Sequence, residues 1–172
     1  MTLTAILRAG ALGAVAFGLA SCAGAPTGGS GEFRKGYTAA RTALEAGRYD
    51  SAERGYMKLV PEAGALTPRI RLEYAHTLLR AEDYARARSE AQRLVVALDG
   101  QNRLAALAVQ ATAEHELGLV AMTAGDRDAA RTLMTSARTG MTEVLANAPD
   151  LDPAGALAGR NTSLGVQLER LG

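Results

Sequence analysis

Residues 68–100 read PRIRLEYAHTLLRAEDYARARSEAQRLVVALDG. From Arg69 to Arg80 the apolar positions are Ile70, Leu72, Tyr74, Ala75, Leu78 and Leu79. From Asp83 to Leu98 they are Tyr84, Ala87, Ala91, Leu94, Val95 and Leu98, three or four residues apart, which is one face of an α-helix. The link Ala81-Glu82-Asp83-Tyr84 is too short to join anything but antiparallel neighbours. The stretch therefore predicts a helical hairpin.

The hairpin has relatives along the chain. Gly47-Arg48-Tyr49-Asp50-Ser51-Ala52, Glu82-Asp83-Tyr84-Ala85-Arg86-Ala87 and Gly125-Asp126-Arg127-Asp128-Ala129-Ala130 align, and their last alanines lie 35 and 43 residues apart. Small residues at Ala40, Ala75 and Gly118 on the first helix of each unit, and at Ala52, Ala87 and Ala130 on the second, predict close helix contact. Tyr56 and Met134 fill the space beside them. A helix–turn–helix unit repeating near 34 residues resembles the tetratricopeptide repeat (TPR) family from about Phe33 to about Ala148. Leu117-Gly118 followed by Gly125-Asp126 is the closest match. Glu82 stands where the other two units have glycine, and about eight extra residues precede the third unit. The resemblance implies an all-α fold: a TPR-like α-solenoid of about three repeats plus a C-terminal capping helix, which covers the last apolar face.

Helix punctuation gives the expected boundaries. The first hairpin should run from Phe33 to Ala46 and from Tyr49 to Val60, with Gly47 in the left-handed position that ends a helix. Pro61 and Gly64 close it. Thr67 is the expected cap of the next helix, with Pro68 in its first turn. Gly100 should end the central hairpin. A longer helix should follow from Asn102 to Ala124, then one capped by Asp126 that stops at Asn147 before Pro149. Asp152-Pro153 signals a final helix to Leu171, with Leu157, Leu164, Leu168 and Leu171 on one face. Gly155, Gly159 and Gly165 weaken that helix, with a break expected near Asn161 to Ser163.

Residues 1–21 read as a signal segment, with Arg8 ahead of an uncharged apolar run too short to span a membrane. Leu19-Ala20-Ser21-Cys22 resembles a bacterial lipobox. The resemblance implies removal of 1–21, lipidation of Cys22 and anchoring by several acyl chains. The plainer reading is an ordinary secretory signal cut nearby. Residues 22–32, rich in glycine with Pro26, read as a flexible tether, and 33–172 as the helical domain. Ala23 is not the aspartate that resembles an inner-membrane retention signal. In a Gram-negative cell this implies the periplasmic side of the outer membrane.

Composition narrows the function. The chain has 172 residues, one cysteine, two histidines and a formal net charge of +1. Loss of Arg8 with the signal would balance the charges, which argues against nucleic acid as a partner. A lone cysteine excludes an intrachain disulfide and a cysteine metal cluster. His76 and His115 have no zinc-ligand spacing. No glycine-framed nucleophile or phosphate loop is present. Glu114-His115-Glu116 point in different directions on a helix and read as a solvated face. The sequence thus predicts no catalytic residue, no metal and no cofactor.

In the TPR family the first helix of each repeat lines the concave side. The resemblance places Arg34, Tyr37 and Arg41 there from repeat one, Arg69, Leu72, His76 and Arg80 from repeat two, and His115 from repeat three. Arginine among apolar side chains suits a protein or peptide partner with acidic segments. The bland alternative is a solvated face. The expected role is a non-catalytic, lipid-anchored adaptor. In layout it is similar to the TPR lipoproteins of tight-adherence pilus assembly and to pilotins. The rival classes are an accessory regulator of a periplasmic or cell-wall enzyme and a soluble periplasmic binding module.

Overall fold

The computed structural model describes residues 29–172. The expected signal segment, the expected lipidation at Cys22 and residues 22–28 of the expected tether lie outside the described residues. The described chain is all helical: α1 (Gly29–Glu45), α2 (Tyr49–Leu59), α3 (Thr67–Arg80), α4 (Tyr84–Ala97), α5 (Gly100–Thr123), α6 (Arg127–Asn147) and α7 (Ala156–Leu171). No strand occurs among the described residues. Each helix packs on the next in sequence, and α3 and α7 also touch α5.

The apolar spacing explains which faces meet. α2 buries Ala52, Tyr56 and Leu59, α4 buries Ala87, Ala91 and Leu94, and α6 buries Ala130, Met134, Ala137, Met141 and Val144. Each set steps by three or four residues and forms one stripe. α5 buries residues on several sides, among them Leu104, Ala106, Leu107, Val109, Ala111 and Ala113. A helix apolar all round belongs in the interior, and α5 is packed by α3, α4, α6 and α7. α5 and α6 are the longest of these helices, at 24 and 21 residues.

The turns inside the three hairpins share one hydrogen-bond pattern. Arg48 N donates to Ala43 O and Gly47 N to Leu44 O. Asp83 N donates to Leu78 O and Glu82 N to Leu79 O. Asp126 N donates to Ala121 O and Gly125 N to Met122 O. This paired closure satisfies the orphan carbonyls of a helix end and needs a left-handed residue at its apex. Gly47 and Gly125 supply it at φ 71° and 82°; Glu82 supplies it at φ 63°, the only non-glycine residue with positive φ among the described residues. Asp83 and Asp126 then cap α4 and α6 by accepting from Arg86 N and Ala129 N.

Several expected boundaries move. α1 begins at Gly29, so Gly29–Glu32 of the expected tether are helical. Thr67 makes no cap: two short 3-10 turns, Val60–Glu62 and Gly64–Leu66, feed α3 directly, and Leu66 already holds helical backbone. Thr67 is therefore inside the helix. Gly100 opens α5 rather than closing the central hairpin. Asp152 does cap α7, reaching past the loop to accept from Leu157 N and Ala158 N. α7 runs unbroken through Asn161–Ser163 because Leu157, Leu164 and Leu171 are all buried on one face. That packing outweighs the roughly 1 kcal/mol per glycine lost in propensity.

Glu82→Gly should raise the thermal midpoint. Left-handed backbone costs a non-glycine residue about 1–2 kcal/mol, and glycine's extra chain entropy returns about 0.5–1 kcal/mol of that. Gly47→Ala and Gly125→Ala should lower it. A Glu82→Gly protein that melts earlier would mean that the Glu82 side chain outweighs its strain. Ala87, fully buried, leaves no room for growth; Ala87→Leu should cost about 1–3 kcal/mol by overpacking, read from the same melts.

Candidate binding groove

α1 and α3 are bridged by one carboxylate. Glu73 is buried and sits on α3, where its Oε1 accepts from Tyr37 Oη at 3.1 Å and from Arg69 Nε at 3.1 Å. Arg41 Nη1 stands 3.8 Å away, and Arg41 Nε donates to Glu45 at 2.8 Å. Arg69 and Glu73 are four residues apart, as are Arg41 and Glu45, so each pair falls on one helix face. Tyr37 stacks edge-on against buried Tyr56 at 6.0 Å, which fixes its ring. Burial, then Glu73, pushes the Tyr56 hydroxyl up to about 12.

Above this junction lies a groove of ≈ 320 Å³. Arg41, Arg69, Leu72, His76 and Arg80 line it, together with Leu44, Glu45 and Glu73. Five of the eight expected residues thus meet in one place, with Tyr37 joined to them through Glu73. The groove carries three arginines against two glutamates. Arg80 lies over the Tyr49 ring at 5.8 Å and holds no carboxylate among the described residues. His76 is pushed below its ordinary value by loss of water, and Arg69, Arg80 and Arg41 act in the same sense against Glu73. A second groove of ≈ 440 Å³ shares Arg69 and Leu72 and continues toward α5 over Leu66, Pro68, Leu98, Ala105 and Leu151. It is largely apolar, so the two make one surface with a charged end and an apolar end.

Two expected residues stand elsewhere. Arg34 is exposed on α1 and does not line the groove. His115 is not on an open surface. It is 4 % exposed, and its ring is enclosed by α7, with Nε2 at 3.0 Å from Gln167 Oε1. The capping helix covers the part of α5 where a third-repeat contact was expected.

The solvated-face reading of Glu114-His115-Glu116 is also overturned. Glu114 is 1 % exposed. It accepts from Arg88 Nε at 3.0 Å, Gln110 Nε2 at 3.0 Å and Ser136 Oγ at 2.6 Å, tying α4, α5 and α6 together. Glu116 instead turns to Arg160 on α7 at 2.5 Å. Buried Glu90 on α4 pairs with Arg71 of α3 at 2.6 Å and with Arg93 at 3.0 Å. Sequence reasoning missed Glu73, Glu90 and Glu114. The i,i+4 pairing of Arg69 with Glu73 was a local signal for the first; for Glu114 only Gln110 is local, and the partners on other helices, Ser136 and Arg88, are 22 and 26 residues away.

Among the described residues no group of metal-ligating side chains is assembled, and no helix is long and apolar enough to cross a membrane. Arg88→Ala should leave the buried Glu114 carboxylate short of its charged partner and destabilise the fold by about 1–3 kcal/mol. Ser89→Ala, on the exposed side of the same helix, should change the urea midpoint little. Equal effects would mean that Gln110 and Ser136 alone suffice for Glu114. Comparison with family models, with curated proteins and with solved structures returns no match, so the side-chain geometry of the groove is what a functional assignment stands on.

Proposed function

We propose that the chain is a non-catalytic, lipid-anchored adaptor of the TPR type that captures a protein segment carrying carboxylates. The observation that carries this reading is the groove across α1 and α3. Its arginines outnumber its glutamates, and it runs on into an apolar channel. An extended peptide with acidic and apolar side chains suits such a surface. The three equivalent turns and the sequential helix packing support the TPR assignment. The lipobox at Leu19-Ala20-Ser21-Cys22 supports attachment through Cys22 to the periplasmic side of the outer membrane. Balanced charge supports a protein partner rather than nucleic acid.

The binding test has to spare the arginines that neutralise Glu73. Changing Arg41 and Arg69 to glutamate would crowd three carboxylates together and disturb α1 and α3. Arg34 and Arg80 hold no carboxylate among the described residues, so their reversal leaves the fold intact. Arg80→Glu should sharply weaken capture of the partner in cross-linking pull-downs from intact cells, with an unchanged circular dichroism spectrum, while Arg34→Glu, outside the groove, should not. Capture by wild type should also weaken with added salt, because the contacts are exposed. Undiminished capture by folded Arg80→Glu would remove the groove from consideration.

Cys22→Ser should block lipidation and leave the chain unprocessed or released from the membrane fraction. Intact-mass measurement of the mature protein decides this. An N-terminus elsewhere, without acyl mass, would rule the anchor out.

A further inference from the structure

α7 lies on α5 and α6 through Leu157, Leu164 and Leu171. One polar ring interrupts this apolar seam. His115 of α5 is buried there, and both of its nitrogens meet side chains of α7. Arg160 Nη1 stands 3.3 Å from Nδ1. A guanidinium has donors only, so Nδ1 presents its lone pair. Nε2 therefore carries the hydrogen and donates to Gln167 Oε1 at 3.0 Å. The docked arrangement fits the neutral ring in one tautomer. The charged groups that act on the ring are Arg160 from α7 and Glu116 from its own helix, and Arg160 Nη1 donates to Glu116 at 2.5 Å. α6 presents no charged group that acts on the ring among the described residues.

We propose that His115 is a proton-operated latch: acidification loosens α7 from α5 and uncovers the apolar surface that its leucines cover. A proton on Nδ1 would set an N–H against the Arg160 N–H groups. It would replace an accepted hydrogen bond with two adjacent cations. Glu116 offsets this only in part, because it is already engaged by Arg160. When α7 lifts, the ring enters water and takes its proton near the ordinary value of about 6.5. When α7 is docked, burial, and with it Arg160, holds the ring below that value against the opposing pull of the Gln167 hydrogen bond and of Glu116. Docking is thus fully favoured above about pH 6.5 and weakens as the pH falls toward the docked pKa. Arg127 to Arg170 O, Arg131 to Leu171 O and Asn161 to Thr142 also tie α7 down, and none of them involves a histidine or a carboxylate. The pH response of the seam belongs to His115.

The size of the effect has a ceiling. If the docked ring stays neutral, the opening equilibrium of α7 rises about tenfold between pH 7.5 and pH 5.5. Native-state hydrogen exchange on the full chain, corrected for intrinsic rates, reads this directly. Amides of α7 should open up to about tenfold more at pH 5.5, while amides in the middle of α6 should not follow. His115→Gln keeps a hydrogen-bonding amide in place and should flatten the response. Arg160→Gln removes the opposing cation and should shrink it. A nuclear magnetic resonance titration of the His115 ring supplies a reading that needs no variant, with a midpoint below 6.5 expected. A midpoint at or above 6.5, or α7 opening that tracks α6 at every pH, would overturn the proposal. So would an unchanged response in folded His115→Gln.

Discussion

Where α1 crosses α2, a Cβ on Gly55 would stand 2.8 Å from that of Ala40; where α5 crosses α6, one on Gly118 would stand 2.7 Å from Met134 Cγ. Helices this close leave little room for large side chains between them. Alanine fills most of the contacts: Ala52, Ala75, Ala87, Ala91, Ala106, Ala111 and Ala113 are all fully buried. A surface of methyl groups gives close contact but a weak register, since one alanine fits another's hollow nearly as well one turn along. Something else has to fix how the helices slide.

Ion pairs between helices, two of them on the buried carboxylates Glu90 and Glu114, supply that. Arg71 on α3 meets Glu90 on α4, Arg88 on α4 meets Glu114 on α5, Arg103 on α5 meets Glu143 on α6, and Arg160 on α7 meets Glu116 on α5. Each pair joins two helices. Such pairs add modestly to stability, because desolvation offsets much of the attraction. Their worth lies in the alternative: a slip of one turn would leave Glu90 or Glu114 charged, buried and unpaired, at a cost of several kcal/mol. The alanine faces set the distance and the glutamates set the register.

This division decides what was legible in the sequence. Apolar periodicity and turn chemistry are local, so the hairpins, Gly47, Asp126, the length of α5 and the leucine face of α7 could all be read. Thr67 misled because the segment before it continues in helical turns, a choice made by the packing of α2 on α3. His115 misled because its surroundings come from Arg160 and Gln167, 45 and 52 residues away. Glu114 looked solvated for the same reason. In the groove, the meeting of Arg41 with Arg69, Leu72, His76 and Arg80 was expected from the resemblance to TPR helices, not from spacing along one helix. That Arg41 and Arg69 are already committed to Glu73 was not expected, since it depends on the approach of α1 to α3.

The groove's arginines therefore do not form one class. Arg69 and Arg41 neutralise Glu73, and Arg41 is held again by Glu45 from one turn along its own helix. A carboxylate arriving at Arg41 has to displace Glu45, an exposed pair that contributes about 1 kcal/mol or less. At Arg69 it would compete with a buried glutamate and gain little. Arg80 is different: it rests on the Tyr49 ring, which restrains the guanidinium and leaves its hydrogen-bond donors open. In the proposed role, selectivity for an acidic partner should therefore concentrate at the Arg80 end of the groove. The apolar channel from Leu72 toward Leu151 would read the side chains that follow.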